Sequence, residues 1–318
     1  MARLLDYEHG ISAIDAHYQR PGLAALYLIV EGDRVAFIDT GTSRSVPDAL
    51  DVLRQKGLAP PNVAYVIPTH VHLDHAGGAG ELMRRCPNAR LVAHPKGARH
   101  LIYPTKLIAG VTAVYGPEAV ARDFGEIVPI EAARVIEAPD DFTLDLNGRT
   151  LRFFDTPGHA RHHFCVWDER SRGLFTGDTF GLSYRELDTD KGPFVFPTTT
   201  PVQFEPEALH ASIDRLLQLH PQYLYLTHFG RIAQVERAAE QMHELIDAFV
   251  VMAKTGRDVE NRHARLIQGQ RDILLPRLRA HGCRLSDAKL DTLLALDYEL
   301  NAQGIEVWLD RAAMKMGN

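Results

Sequence analysis

The chain has 318 residues, 45% apolar and 24% charged, with a net charge of −6 and a pI near 6.2. That balance describes an ordinary globular protein, long enough for one large domain with or without a smaller companion, and it excludes a disordered chain. No run reaches roughly 18 uninterrupted apolar residues and the charge surplus is acidic, so neither a transmembrane helix nor a general electrostatic grip on nucleic acid or an anionic membrane is expected.

The opening residues, Met1 to Asp6, turn acidic before a signal-peptide core can form. The first strands are expected at Leu26–Val30 and Val35–Asp39, with Glu31-Gly32-Asp33-Arg34 as the turn between them. A helix at Val46–Gln55 and strands at Ala64–Pro68 and Arg90–Ala93 follow, with a second helix at Gly78–Arg85. Residues 94–123 read as mostly helical, with an apolar surface that includes Leu107, Ile108, Val111, Val114 and Tyr115; this segment is a candidate pocket wall. Strands resume at Phe142–Leu146, Thr150–Asp155, His163–Asp168 and Leu174–Thr176, the first two joined by Asn147-Gly148. Residues 181–201 are rich in Gly, Pro and Thr and read as a long surface loop. A helix at Pro206–Leu219 and a strand at Tyr223–Thr227 complete an α/β body over residues 1–230. Beyond it, Ile232, Val235, Ala239, Met242, Leu245, Ile246, Phe249 and Val250 fall on one helical face, which suits a core or a homodimer contact, so 231–318 reads as a helical extension.

Cys86, Cys165 and Cys283 are far apart and form no CxxC pair. They give neither a disulfide framework nor a thiolate zinc site, and a reducing, cytoplasmic setting is expected. Histidine is abundant instead, with 16 copies. Residues 69–78 read Thr-His-Val-His-Leu-Asp-His-Ala-Gly-Gly, which places His70, His72, Asp74 and His75 within six positions, directly after a strand. Composition alone predicts about 0.003 matches to such a pattern in this chain. Three further strand ends carry one ligand-type residue beside glycine: His159 in Thr-Pro-Gly-His, Asp178 in Thr-Gly-Asp-Thr and His228 in Thr-His-Phe-Gly. Structural histidines explain any one of these segments but not all four together. Imidazole and carboxylate ligands without thiolate suit zinc, iron or manganese, and the set is large enough for two divalent ions.

These residues resemble the metallo-β-lactamase superfamily, whose HxHxDH…H…D…H pattern is complete here over residues 24–230. The resemblance implies an α/β fold of αββα sandwich type. It assigns His70, His72 and His159 to a first metal and Asp74, His75 and His228 to a second, with Asp178 bridging both. Asp39, in Phe-Ile-Asp-Thr-Gly, is implied to orient a ligand imidazole. True β-lactam hydrolases of this fold generally lack the bridging aspartate, and only 49 residues separate Asp178 from His228, too few for the extra domain of the RNA-processing branch. The flavodiiron branch carries Glu where this chain has His72. What remains resembles the glyoxalase II, lactonase and thioesterase branch.

The implied activity is hydrolysis of a small-molecule ester, thioester or lactone. Two cations, zinc by preference, would lower the pKa of a shared water from 15.7 towards about 7, and the metal-bound hydroxide would attack the acyl carbon. Asp74 or a bound water would carry the proton to the leaving group, and Asp178 would hold the metals in register. His162 and Tyr184 are weaker candidates for support or substrate contact, with a hydrogen-bonded structural role as the competing reading for each. The alternatives are a non-haem iron oxygenase resembling the persulfide dioxygenases of the same fold and, in a different class, a metal-stabilised scaffold without turnover. Neither nucleic acid nor membrane is expected as a partner.

Overall fold

The computed structural model describes residues 4–199, 203–257 and 259–316. A first sheet contains β1 (Leu4–Asp6), β2 (Ile11–Asp15), β3 (Ala25–Glu31), β4 (Arg34–Ile38), β5 (Val63–Ile67), β6 (Arg90–Ala93) and β7 (Val135–Glu137), in that spatial order. Neighbours from β1 to β4 are antiparallel, and those from β4 to β7 are parallel. Parallel neighbours need crossovers, and helices supply them. These are α1 (Val46–Gln55) between β4 and β5, α2 (Leu73–Ala76) and α3 (Ala79–Arg85) between β5 and β6, and α4 (Pro95–Ile102), α5 (Thr105–Tyr115) and α6 (Pro117–Asp123) between β6 and β7. A second sheet, in the order β13, β12, β11, β10, β9, β8, contains β8 (Thr143–Leu146), β9 (Arg149–Asp155), β10 (Phe164–Asp168), β11 (Gly173–Gly177), β12 (Tyr223–Leu226) and β13 (Gly230–Ile232). Only β11 and β12 run parallel there, and α7 (Pro206–Leu217) lies on their long connection. The chain ends in α8 (Val235–Thr255), α9 (Arg262–His281) and α10 (Asp287–Met316).

The residues group into two compact units. The first comprises Met1–Asp155, His162–Gly177 and Pro221–Ala233; the second comprises Thr156–Arg161, Asp178–His220 and Gln234–Asn318. Both sheets belong to the first unit and pack face to face. Ile29, Ile38, Ile67 and Val92 of one sheet share a buried cluster with Phe153, Phe164, Val166, Phe175 and Tyr225 of the other. The rings of Tyr27 and Phe175 meet edge-on with centroids 5.2 Å apart, and the Tyr27 hydroxyl donates to the Leu226 carbonyl at 2.5 Å. Each such aromatic side chain withdrawn from water contributes about 1.5–3 kcal/mol. In the second unit, α8 packs against α7, α9 and α10 and buries Val235, Ala239, Met242, Leu245, Ile246 and Phe249.

Two sequence expectations need correction. Ile232 does not share the α8 face: it lies on β13, where its backbone pairs with Leu224. The segment 181–199 is not a surface loop either. It lacks long regular elements, as its Gly and Pro content implies, but Leu182, Tyr184, Leu187, Phe194, Val195 and Phe196 are buried. A backbone bridge between Leu182 and Phe196 closes it, and Asn301 of α10 holds Thr199 through the backbone N–H at 2.6 Å and the hydroxyl at 3.2 Å. Thr200 and Pro201 lie outside the described residues. All three cysteines are buried, and none forms a disulfide among the described residues. Among the described residues no helix is long and apolar enough to cross a membrane.

Candidate metal centre

The ligand-type residues sit where strands end. Just beyond β5, His70 precedes a turn in which His72 caps α2, so Asp74 and His75 occupy the first turn of that short helix. The turn is held close to the loop after β4. A Cβ on Gly78 would come within 2.7 Å of the carbonyl oxygens of Thr40 and Thr42, so only glycine fits there. His228 follows β12, and Asp178 follows Gly177, the last residue of β11.

Asp39, one residue past β4, organises the cluster in the first unit. It is fully buried and adopts φ 55°, a left-handed conformation that non-glycine residues take at a cost. Its Oδ1 accepts the Thr69 N–H at 2.7 Å and the Thr69 hydroxyl at 2.9 Å. Its Oδ2 accepts the Thr227 hydroxyl at 2.6 Å and the His75 Nδ1–H at 2.8 Å. One carboxylate therefore ties together the ends of β4, β5 and β12.

That contact fixes a tautomer. A carboxylate can only accept, so His75 carries its proton on Nδ1 and leaves Nε2 with a lone pair. His228 is set the same way by the Leu23 carbonyl, 2.7 Å from its Nδ1. The two Nε2 atoms then face each other at 3.3 Å, and each faces Asp74 Oδ2, at 3.4 Å for His75 and 3.2 Å for His228. Three electron-rich atoms thus converge, and the donor atoms of this trio lie within 4.8 Å of one another.

His70 and His72 lie beside the trio, with ring centroids 4.4 Å from each other and that of His70 4.1 Å from His75. In the second unit, His159 and Asp178 are both buried, with Nε2 and Oδ2 at 3.3 Å. The Thr198 carbonyl lies 3.4 Å from His159 Nδ1 and again leaves Nε2 to face a carboxylate. Among the described residues of the first unit, Asp74, His75 and His228 form a group that could hold a metal ion.

The remaining sequence candidates have defined places. His162 is buried, its ring almost parallel to that of His70 at 6.3 Å and edge-on to His72 at 5.9 Å. Tyr184 is buried in the second unit and donates its hydroxyl to Asp297 at 2.8 Å. Sequence reasoning missed Thr69, Thr227 and the Leu23 carbonyl. A signal for the first two was present, because Thr-His stands at the ends of both β5 and β12; the Leu23 carbonyl has no side-chain signature. It also missed Tyr18, whose hydroxyl is pushed up first by burial and then by the negative charge of Asp74; Tyr115, on the expected pocket wall, is shifted the same way.

The fold is a β-sandwich whose strand ends carry His and Asp side chains in an arrangement that could hold a metal ion. The profile of the metallo-beta-lactamase superfamily matches residues 20–228, and the chain belongs to that superfamily, with its αββα fold and a C-terminal helical region. It is 28% identical over 224 residues to the metallo-beta-lactamase fold-containing protein ST1585 of Sulfurisphaera tokodaii, covering 67% of this chain and 75% of that one. It is 31% identical over 169 residues to the acyl-coenzyme A thioesterase MBLAC2 of Gallus gallus, covering 51% of this chain and 59% of that one. It is 29% identical over 158 residues to an atrochrysone carboxyl ACP thioesterase of Passalora fulva, covering 48% and 37%. Among solved structures, ST1585 from Sulfolobus tokodaii superposes with a TM-score of 0.65 at 23% identity, covering 93% of this chain and 98% of that one. The family protein TTHA1429 from Thermus thermophilus does so with 0.64 at 22%, covering 96% and 94%. At these identities the structural likeness concerns the fold.

Proposed function

We propose that the chain is a dinuclear metal-dependent hydrolase of small-molecule esters, thioesters or lactones. His70, His72, His159 and Asp178 would hold one divalent cation, and Asp74, His75 and His228 the other. The carrying observation is the convergence of imidazole lone pairs on carboxylates. His75, His228 and His159 each have Nδ1 engaged by an oxygen acceptor, so each turns an unprotonated Nε2 towards Asp74 or Asp178 at 3.2–3.4 Å. Facing lone pairs repel, and a shared cation removes the conflict. Zinc suits this all-nitrogen-and-oxygen donor set, and iron or manganese would also be accepted.

When bound, such a pair of cations supplies a hydroxide nucleophile at neutral pH and polarises the acyl carbonyl. The chain's own residues prepare the ground. Asp39 and the Leu23 carbonyl fix ring orientation and tautomer before any ion arrives, and the core beneath the strand ends keeps the ligands from drifting. Asp74 has 22% of its side chain exposed, so its carboxylate can take a proton and return it to a departing alkoxide or thiolate. Relatives named as acyl-coenzyme A and ACP thioesterases support thioesters within this class.

The test pairs metal analysis of purified protein with a panel of thioesters, lactones and phosphodiesters. Two metal equivalents and turnover of a thioester or lactone are expected. His70→Ala and Asp178→Ala should lower kcat by about a thousandfold and reduce metal content. Full turnover by a metal-free variant would overturn the proposal.

A further inference from the structure

Between Glu81 and Glu118 the sequence carries Arg84, Arg85, Arg90, Lys96, Arg99 and Lys106 and no Asp or Glu, in a chain whose net charge is −6. Arg84 and Arg85 are answered by Glu81. Lys96 and Arg99 are not: both are exposed on α4, and among the described residues neither pairs with a carboxylate. Asp155 reaches the start of this helix but meets His94 there, at 3.0 Å. Spaced i to i+3, Lys96 and Arg99 are neighbours on one helical face, where like charges repel each other and draw in an anion. Tyr103, which caps the same helix, is 67% exposed.

This face borders the ligand turn. Strands β5 and β6 run parallel, so the segments that leave them, His70–His75 and α4, emerge at the same edge of the sheet. A Cβ on Gly97 would come within 2.9 Å of Val71 Cγ1, so a glycine there lets α4 lie against the residue between His70 and His72. On the next turn of α4, the His100 ring meets that of His162 at 6.2 Å, and His162 meets His72 at 5.9 Å. All of these residues belong to the first unit.

We propose that Lys96, Arg99 and Tyr103 form the subsite for a phosphorylated nucleotide carried on the leaving group of the substrate. The assignment rests on the hydrolase reading above. The occupant follows from charge and shape. An exposed lysine and arginine without carboxylate partners take phosphate oxygens, the arginine through two parallel N–H donors. An exposed tyrosine ring at the end of the same helix offers a plane on which a base stacks. A hydrocarbon or a neutral thiol would leave both cations unanswered.

The experiment has a kinetic and a binding arm. Metal-loaded protein is assayed with acetyl-coenzyme A, with acetyl-phosphopantetheine, which keeps a phosphate but no nucleoside, and with S-acetyl-N-acetylcysteamine, which is neutral. Binding of ADP is followed by calorimetry. Wild type is compared with the double variant Lys96→Gln/Arg99→Gln, with Tyr103→Ala, and with Arg34→Gln, a change at an exposed cation on the opposite end of β4 from Asp39. Wild-type kcat/KM should be about tenfold higher for acetyl-coenzyme A than for the neutral ester, and that advantage should shrink as salt is added. The double variant should lose about tenfold on acetyl-coenzyme A and less than about twofold on the neutral ester. Tyr103→Ala should lose severalfold on acetyl-coenzyme A alone, and Arg34→Gln should match wild type throughout. If ADP binds wild type but not the double variant while no thioester is cleaved, the subsite stands and the hydrolase reading falls. Neutral and nucleotide esters cleaved alike, or a double variant that loses equally on both, would overturn the subsite and leave the hydrolase intact. Acetyl-phosphopantetheine cleaved as well as acetyl-coenzyme A, with Tyr103→Ala silent on both, would overturn the nucleotide as occupant. In the absence of turnover, ADP that binds neither form, or both equally, would overturn the subsite as well.

Discussion

Asp39 accepts four hydrogen bonds with no exposure to water, from a residue on each of two other strand ends and from the His75 imidazole. Asp39→Ala would strand those donors in the core and should destabilise the protein by about 3–5 kcal/mol, read as a fall in the denaturant midpoint. Asp39→Asn keeps the shape but presents an amide where His75 or Thr227 needs an acceptor. It should lower metal affinity by roughly 10–100-fold with a smaller loss of stability, measured by competition with a chelating dye. Affinity unchanged in the Asn variant would mean that the tautomer of His75 is set elsewhere. Asp39 could be picked out in the sequence because a carboxylate just past an apolar run, followed by Thr-Gly, is a recognisable strand-end pattern. Its pairing with them could not: Thr69 and Thr227 each stand in a strand-end Thr-His, but they are 30 and 188 residues away along the chain, and only the fold makes them neighbours of Asp39.

At the scale of elements, α9 and α10 are joined by a charged seam. His263 contacts Glu299 through Nε2 and Glu306 through Nδ1, both at 3.0 Å, and Arg262 reaches Glu306 and Asp310. Glu299 first, then Glu306, raise the His263 pKa above its ordinary value, and His263 in turn holds Glu299 low. A raised histidine contributes its full stabilisation below the unfolded value of about 6.5 and loses it as pH climbs through the folded value. The depressed Glu299 loses its share as pH falls through the lowered carboxylate value. The melting-temperature gap between wild type and His263→Gln should therefore be widest in mildly acidic buffer and should close above neutrality. A gap that is constant from pH 5.5 to 8.5 would remove the imidazole from the seam. The segment 181–199 offers a second test, because Asn301 carries its end: Asn301→Ala should cost about 1–3 kcal/mol and make the segment susceptible to limited proteolysis. Composition revealed that this segment has no long element. It did not reveal that the segment is buried, because burial here depends on Phe194, Val195 and Phe196 and on an asparagine about a hundred residues downstream. β1, β7 and β13 have three residues each, too short for a period to register, and β2 is buried on both faces, so it shows no alternation.

For the whole molecule, the long alternating runs and the four strand-end motifs were legible because each is a local pattern. The compact units were not, since the second takes in Thr156–Arg161 and Asp178–His220 from the middle of the chain as well as its end. If cations hold the facing lone pairs together, their removal is felt globally. A chelator should lower the melting temperature by several degrees, matching the roughly 2.7 kcal/mol that a ligand at a hundred times its dissociation constant contributes, and zinc should restore it. An identical melt with and without chelator would separate the ligand set from the stability of the fold.

The glycine pair after His75 has a consequence for how variable this region can be. Gly78 leaves no room for even a methyl group against Thr40 and Thr42. Variation in this region must then fall on side chains that border the turn without entering it, and a library randomised at the two glycines would be expected to yield few folded members.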